Sequence, residues 1–134
     1  MKRFLFCLVM ALLLSETALP ESIKAPIRAS GVERAYSGEH VHRMEKGVYS
    51  CAGCGADLFK SEDKYDAGNG WPNFTQPLVS KNIYYLEDWA LSFKRYEVLC
   101  RGCNAHLGHV FNDGPPPKNL RYCIDSIALI FKSF

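Results

Sequence analysis

The chemistry this chain could perform is concentrated in its six cysteines and four histidines. Cys51-Ala-Gly-Cys54-Gly and Cys100-Arg-Gly-Cys103-Asn are two Cys-x-x-Cys pairs, each with Gly before the second cysteine and Gly or Asn after it. A two-residue spacer lets both thiolates of a tight turn face one point, and a residue tolerant of positive φ lets the chain leave that turn. Two such turns offer four sulfurs at tetrahedral corners with no position open to water, which describes a structural zinc centre rather than a catalytic one. Such a centre would tie residues 55–99 together at their base. The competing chemistry for the same residues is oxidation to two disulfides or to a thioredoxin-like redox pair. Duplication of the pair with its glycine punctuation favours the metal.

Cys123 belongs to neither pair. It lies in Leu120–Phe131 (LRYCIDSIALIF), which follows the turn-forming Gly114-Pro-Pro-Pro117 and reads as one strand. Period-two alternation puts Arg121, Cys123 and Asp125 on one face and Tyr122, Ile124 and Ser126 on the other. A lone cysteine is ordinarily a small buried hydrophobe, but a neighbouring guanidinium stabilises the nucleophilic thiolate. Upstream, His106-Leu-Gly-His109 carries two imidazoles, the natural proton donors near neutrality. On a regular strand, residues three apart face opposite ways, so both can enter one pocket only through a bulge or turn, which Gly108 would permit. As zinc ligands they would compete with four sulfurs that already fill the shell. Asp66–Phe74 (DAGNGWPNF) reads as a loop, and its Trp71 is either a core plug or the apolar wall of a pocket.

The elements that must position these residues fit in one folded domain. The 134 residues are 48% hydrophobic and 22% charged, which excludes disorder, collagen-like repeats and coiled coils. A formal charge of +2 without clustered Lys or Arg gives nucleic acid no footing. Lys2-Arg3, the apolar run Phe4–Leu14 and the polar Ser15-Glu-Thr-Ala18 read as a secretory signal peptide over residues 1–20. That run is shorter than the ~20 residues a bilayer span needs. Residues 21–33 are then expected to form an extension and residues 34–134 the folded domain that carries the chemistry. Cleavage removes Cys7 and leaves an odd number of cysteines, which cannot all pair within one molecule. With no Lys-Asp-Glu-Leu type tail at Phe134, the expected location is the secretory pathway, as a secreted or endoplasmic reticulum protein free of the membrane after cleavage.

The segments GVYSCAGCGADLF, YDAGNGWPNF, CRGCNAHLGHVFNDGPPP and LRYCIDSIAL, in order between Arg34 and Phe131, resemble the B-type methionine sulfoxide reductases, which reduce the R epimer of methionine sulfoxide. The resemblance implies a mainly β fold of two antiparallel sheets and one structural zinc on Cys51, Cys54, Cys100 and Cys103. It implies Cys123 as nucleophile beside Arg121, His106 and His109 as the pair handling the sulfoxide oxygen, and Trp71 as the wall for the substrate methyl. Phe74 and Asp113 join the substrate-binding set, and the protein is expected to be a monomer. Sulfoxide sulfur is electrophilic, but its oxygen leaves only once protonated. Attack by Cys123 with a proton from His109 would release methionine and leave a sulfenic acid.

Three positions depart from the family pattern. Asp125 stands where the family has Asn, and a carboxylate on the face of Cys123 would raise the thiol pKa unless Arg121 or a proton neutralises it. Asn69 stands where many members carry a resolving cysteine, so the sulfenic acid would pass to a small thiol or a thioredoxin-like partner. Asn73-Phe-Thr is a glycosylation sequon where the family has Ser, expected to stay unmodified because folding hides it. The rival reading, a non-catalytic secreted zinc-knuckle binding module, gives no role to Cys123 or the paired histidines. A disulfide-stabilised secreted ligand accounts for the signal peptide alone.

Overall fold

Short alternating segments separated by Gly, Pro and Asn build nine strands in the computed structural model, which describes residues 33–134. The signal peptide, Cys7 and the extension as far as residue 32 lie outside the described residues. The strands are β1 (Gly47–Cys51), β2 (Asp57–Lys60), β3 (Lys64–Tyr65), β4 (Asn73–Phe74), β5 (Ile83–Asp88), β6 (Arg95–Cys100), β7 (His106–Phe111), β8 (Arg121–Ile124) and β9 (Leu129–Ser133). They form a three-stranded sheet, β2-β1-β9, and a six-stranded sheet, β3-β4-β8-β7-β6-β5. Every pairing is antiparallel, as the expected mainly β fold requires. Among the described residues no helix is long and apolar enough to cross a membrane.

Aromatic side chains join the two sheets. Phe59 of β2 stacks on Phe74 of β4 with ring centroids 4.4 Å apart, and Tyr49 of β1 meets the edge of the same ring at 5.2 Å. Such pairs add about 0.5–1.5 kcal/mol beyond the area they bury. Phe74 is therefore a core residue with 0% exposure, which corrects its expected place among the substrate contacts. The reason is alternation: β4 pairs Asn73 with Cys123 and Phe74 with Tyr122, so Asn73 takes the cleft side and Phe74 the core side.

The segment expected as one strand, Leu120–Phe131, is two strands in different sheets. β8 ends at Ile124, a 3-10 turn spans Ser126–Ala128, and β9 begins at Leu129. The break is imposed from far away in sequence: the Glu33 carboxylate accepts the N–H groups of Ser126 and Ile127, each at 2.8 Å. Within β8 the expected alternation holds, with Tyr122 and Ile124 buried and Arg121 and Cys123 half-buried on the opposite face.

The bulge predicted between the histidines is present. β6 advances one residue from Val98 to Leu99 while β7 steps from Gly108 to His106, so Leu107 is the extra residue. His106 and His109 thereby share one side, with ring centroids 5.5 Å apart. Gly108 serves a different purpose from the one expected. A Cβ there would lie 2.0 Å from the Cys123 carbonyl oxygen and 2.8 Å from Ile124 Cα, so the missing side chain permits close approach of β8. Gly108→Ala should therefore force the ladder apart and destabilise the protein by about 2–3 kcal/mol. Urea unfolding measures this, and an unshifted midpoint would contradict the close-approach argument.

Candidate active site

The two Cys-x-x-Cys turns are built alike. In the first, Gly55 N–H donates to the Cys51 carbonyl and Cys51 N–H to the Ala56 carbonyl, both at 2.8 Å. In the second, Asn104 N–H donates to the Cys100 carbonyl at 2.8 Å and Cys100 N–H to the Ala105 carbonyl at 2.9 Å. Gly55 and Asn104 hold positive φ values of 80° and 62°, the role their types suggested. Cys51 ends β1 and Cys100 ends β6, so the turns come from different sheets. The Sγ atoms of Cys51 and Cys103 lie 3.6 Å apart, those of Cys54 and Cys100 3.5 Å apart, and all four fall within 4.8 Å of one another. A disulfide needs about 2.05 Å. Four sulfurs at about 2.3 Å from one tetrahedral ion lie roughly 3.8 Å apart, so the donor set and its spacing can hold a metal ion.

A second constellation surrounds a cleft of about 280 Å³ on the outer face of the six-stranded sheet. Cys123, His106, His109, Trp71, Arg121 and Asp125 all line it, together with Asn69 and Arg95. His109 sits directly across from Cys123 in the β7–β8 ladder. Trp71 is half-buried, and its indole N–H donates to the Glu33 carbonyl at 2.9 Å, which favours the pocket-wall reading over the core plug. Asp113 lies outside the cleft and is 61% exposed; its two oxygens accept from Arg121 Nε at 2.8 Å and Nη2 at 3.1 Å. Its place is therefore behind Arg121 rather than against a substrate. The sequon asparagine is fully buried, and its Nδ2 donates to Asn69 Oδ1 and to the Trp71 carbonyl, both at 2.8 Å.

Carboxylates make the two histidines different. His106 Nδ1 lies 2.6 Å from Glu97 Oε2, and its Nε2 lies 3.2 Å from Asp125 Oδ2. A carboxylate oxygen accepts from a ring N–H, so acidic partners at both nitrogens favour the doubly protonated ring. Burial opposes that charge, but the bonds to Asp125 and Glu97 outweigh it and hold the His106 pKa above the usual imidazole range. His109 Nε2 donates to Asp88 Oδ2 at 2.7 Å, and the same carboxylate oxygen accepts from Arg95 Nη2 at 2.9 Å. Burial, with Arg95 and His106 nearby, keeps the His109 pKa below its ordinary value despite Asp88. His109 is then a neutral ring with hydrogen on Nε2, and Nδ1 is the nitrogen left unprotonated.

Burial also pushes the Cys123 thiol up to about 11; Arg121 lowers it and Asp125 raises it. The expected repulsion by Asp125 is thus present, but the group that faces its charge is His106 rather than Arg121. Glu33, Asp88, Arg95 and Glu97 are site residues that motif reading missed. Glu97 lies opposite His109 in the β6–β7 ladder, a relation available only once the register is known. Glu33 offers no local pattern.

Known proteins resemble this chain over most of its length. The SelR domain matches residues 20–133. A peptide methionine sulfoxide reductase MsrB of Azotobacter vinelandii is 52% identical over 105 residues, covering 78% of this chain and 79% of that protein. The protein of that name in Methanosarcina barkeri is 47% identical over 107 residues, covering 80% and 75%. The one in Thioalkalivibrio sulfidiphilus is 46% identical over 120 residues, covering 90% and 87%.

The carboxylate arrangement yields a pH test. A folded pKa raised above the unfolded value of about 6.5 gives stability that is complete below that pH and lost as pH rises through the raised value. Asp125→Asn removes one of the two carboxylates on His106. The His106 midpoint in an NMR titration should fall, and the variant should be less stable than the parent at about pH 6, with the difference narrowing as pH rises through the parent's raised midpoint. An unmoved midpoint would show that Asp125 does not hold the charge.

Proposed function

The chain belongs to the SelR domain family, together with proteins named peptide methionine sulfoxide reductase MsrB, and from that premise we propose that it reduces the R epimer of methionine sulfoxide, free or within proteins. One observation carries the reading: Cys123 and His109 face each other across the β7–β8 ladder, in a cleft also walled by Trp71. Trp71 packs against the S-methyl group and orients the sulfoxide. The Cys123 sulfur attacks the sulfoxide sulfur while His109 Nδ1 takes the thiol proton. The same imidazole, held by Asp88 through Nε2–H, returns that proton to the sulfoxide oxygen, and the His106 charge stabilises the oxygen as its S–O bond breaks. The S–S bond made in that attack then breaks as the protonated oxygen passes to the Cys123 sulfur, which leaves a sulfenic acid and releases methionine as the thioether. Cys123 has lost two electrons and the substrate has gained two. An external thiol then condenses with the sulfenic acid, releasing water, and a second thiol exchange frees Cys123.

Among the described residues the other four cysteines all belong to the metal cluster, which supports recycling by a small thiol or a thioredoxin-like partner. Cys51, Cys54, Cys100 and Cys103 would hold one structural zinc, whose chemistry is to crosslink the two sheets. We also propose entry into the secretory pathway through residues 1–20, with secretion or retention in the endoplasmic reticulum lumen, and a monomeric state.

Assay of R and S methionine sulfoxide with dithiothreitol, alongside a zinc count, tests the reading. Turnover specific for the R epimer with one zinc per chain is expected, and Cys123→Ser should abolish turnover with zinc retained. Zinc without turnover in the parent would leave a binding module, and turnover retained by Cys123→Ser would overturn the mechanism. Stripping the metal with a chelator should lower the melting temperature; a melt indifferent to it would refute the structural role.

A further inference from the structure

We propose that Asn69 is a further catalytic residue, whose side-chain N–H donates to the Cys123 sulfur as it becomes a thiolate and afterwards holds the oxidised S–OH. The inference rests on the reductase reading and deepens it. Asn69 Nδ2 lies 3.9 Å from Cys123 Sγ. What gives that contact meaning is that the amide cannot turn over. Asn69 Oδ1 accepts from the Trp71 N–H at 3.1 Å and from Asn73 Nδ2 at 2.8 Å, while Asn69 Nδ2 donates to Asn73 Oδ1 at 3.2 Å. The two carboxamides thus form a closed pair. Flipping Asn69 would set its N–H groups against the Trp71 N–H. Flipping Asn73 would set its oxygen against the Trp71 carbonyl, to which it donates at 2.8 Å, and its N–H groups against Arg121 Nη1, which donates to Asn73 Oδ1 at 3.2 Å. Trp71 and Arg121 together fix both amides, and one Asn69 N–H is left facing the sulfur.

The chemistry needs such a donor. A half-buried thiol ionises reluctantly, and burial does push Cys123 up. A neutral donor at the sulfur costs little beside a thiol and strengthens, with a shorter contact, as negative charge develops. Asp125 and Asp113 add negative charge around the same sulfur, and Arg121, the cation beside it, is tied to Asp113 and Asn73. Asn69 brings a hydrogen-bond donor with no counter-charge of its own. After oxygen transfer, the same N–H can bond the sulfenic oxygen, where a thiol side chain at this position would have condensed with it. An S–OH held by an amide persists until an external thiol arrives.

The test separates the first half-reaction from recycling. Full-length protein is mixed with methionine-R-sulfoxide without reductant, and the rate and amount of methionine released in a single turnover are measured across pH. Iodoacetamide alkylation of Cys123 over the same range reports thiolate formation. Asn69→Ala removes the donor, and the isosteric Asn69→Asp keeps Oδ1 for Trp71 and Asn73 but turns an acceptor toward the sulfur. Alkylation midpoints should move to higher pH in both, and the single-turnover rate at pH 7 should fall about tenfold in the first and further in the second. Trapping with dimedone should show a sulfenic acid that decays faster in the variants. Zinc content and melting curves confirm folding, and if Asn69→Ala fails to fold, Asn69→Asp decides alone. Unchanged alkylation midpoints with single-turnover rates within twofold of the parent would overturn the role of Asn69. Failure of the parent itself to release methionine would overturn the reductase reading instead.

Discussion

The pairing of β7 with β8 is the constraint on which the rest of the site depends. Directly opposed residues in an antiparallel pair hold their Cβ atoms about 4.5–5.5 Å apart, so the register that sets His109 across from Cys123 already brings imidazole and thiol within reach. A slip of one residue would turn Cys123 into the core and Tyr122 into the cleft. Two features hold the register. Gly108 admits the β8 backbone where any side chain would collide with it, and the extra residue Leu107 rotates His106 back to the side of His109.

Around that ladder, chemical identity is assigned by charge. The two imidazoles differ in what surrounds them: His106 lies between two carboxylates, while His109 shares its single carboxylate with Arg95. These partners move two chemically identical rings in opposite directions, His106 toward the charged form and His109 toward the neutral one. Arg121 is likewise defined by its partners. Asp113 grips it from the solvent side and Asn73 from the cleft, so it acts on the thiol from a set position.

Two features beneath this surface bear on how the sheets are held. The Cys-x-x-Cys turns grow from the ends of β1 and β6, so an ion held by their four sulfurs would join the sheets directly. Glu33 provides a tie made by the chain itself. Its carboxylate caps the turn through which the chain passes from β8 to β9, and its carbonyl holds the Trp71 indole. A single residue therefore links the change of sheet to the wall of the cleft.

The parts legible in the amino-acid sequence were those set by short-range geometry. Cys-x-x-Cys followed by Gly or Asn describes a turn whose sulfurs converge, and alternation along Arg121–Ile124 sorts core from cleft, because both depend only on neighbouring backbone dihedrals. The two histidines demanded a bulge for the same reason. What a side chain meets from another strand depends on register and on how the sheets stack, and no local pattern contains that. Hence Phe74 belongs to the core, Asp113 to Arg121 and Asp125 to His106, and the Leu120–Phe131 segment divides under a carboxylate supplied by Glu33. Asn69 shows the division most plainly. As a residue type it said only that a thiol was missing, whereas the folded loop turned its amide toward the sulfur, because Trp71 and Asn73 leave that orientation alone free of donor-against-donor contact.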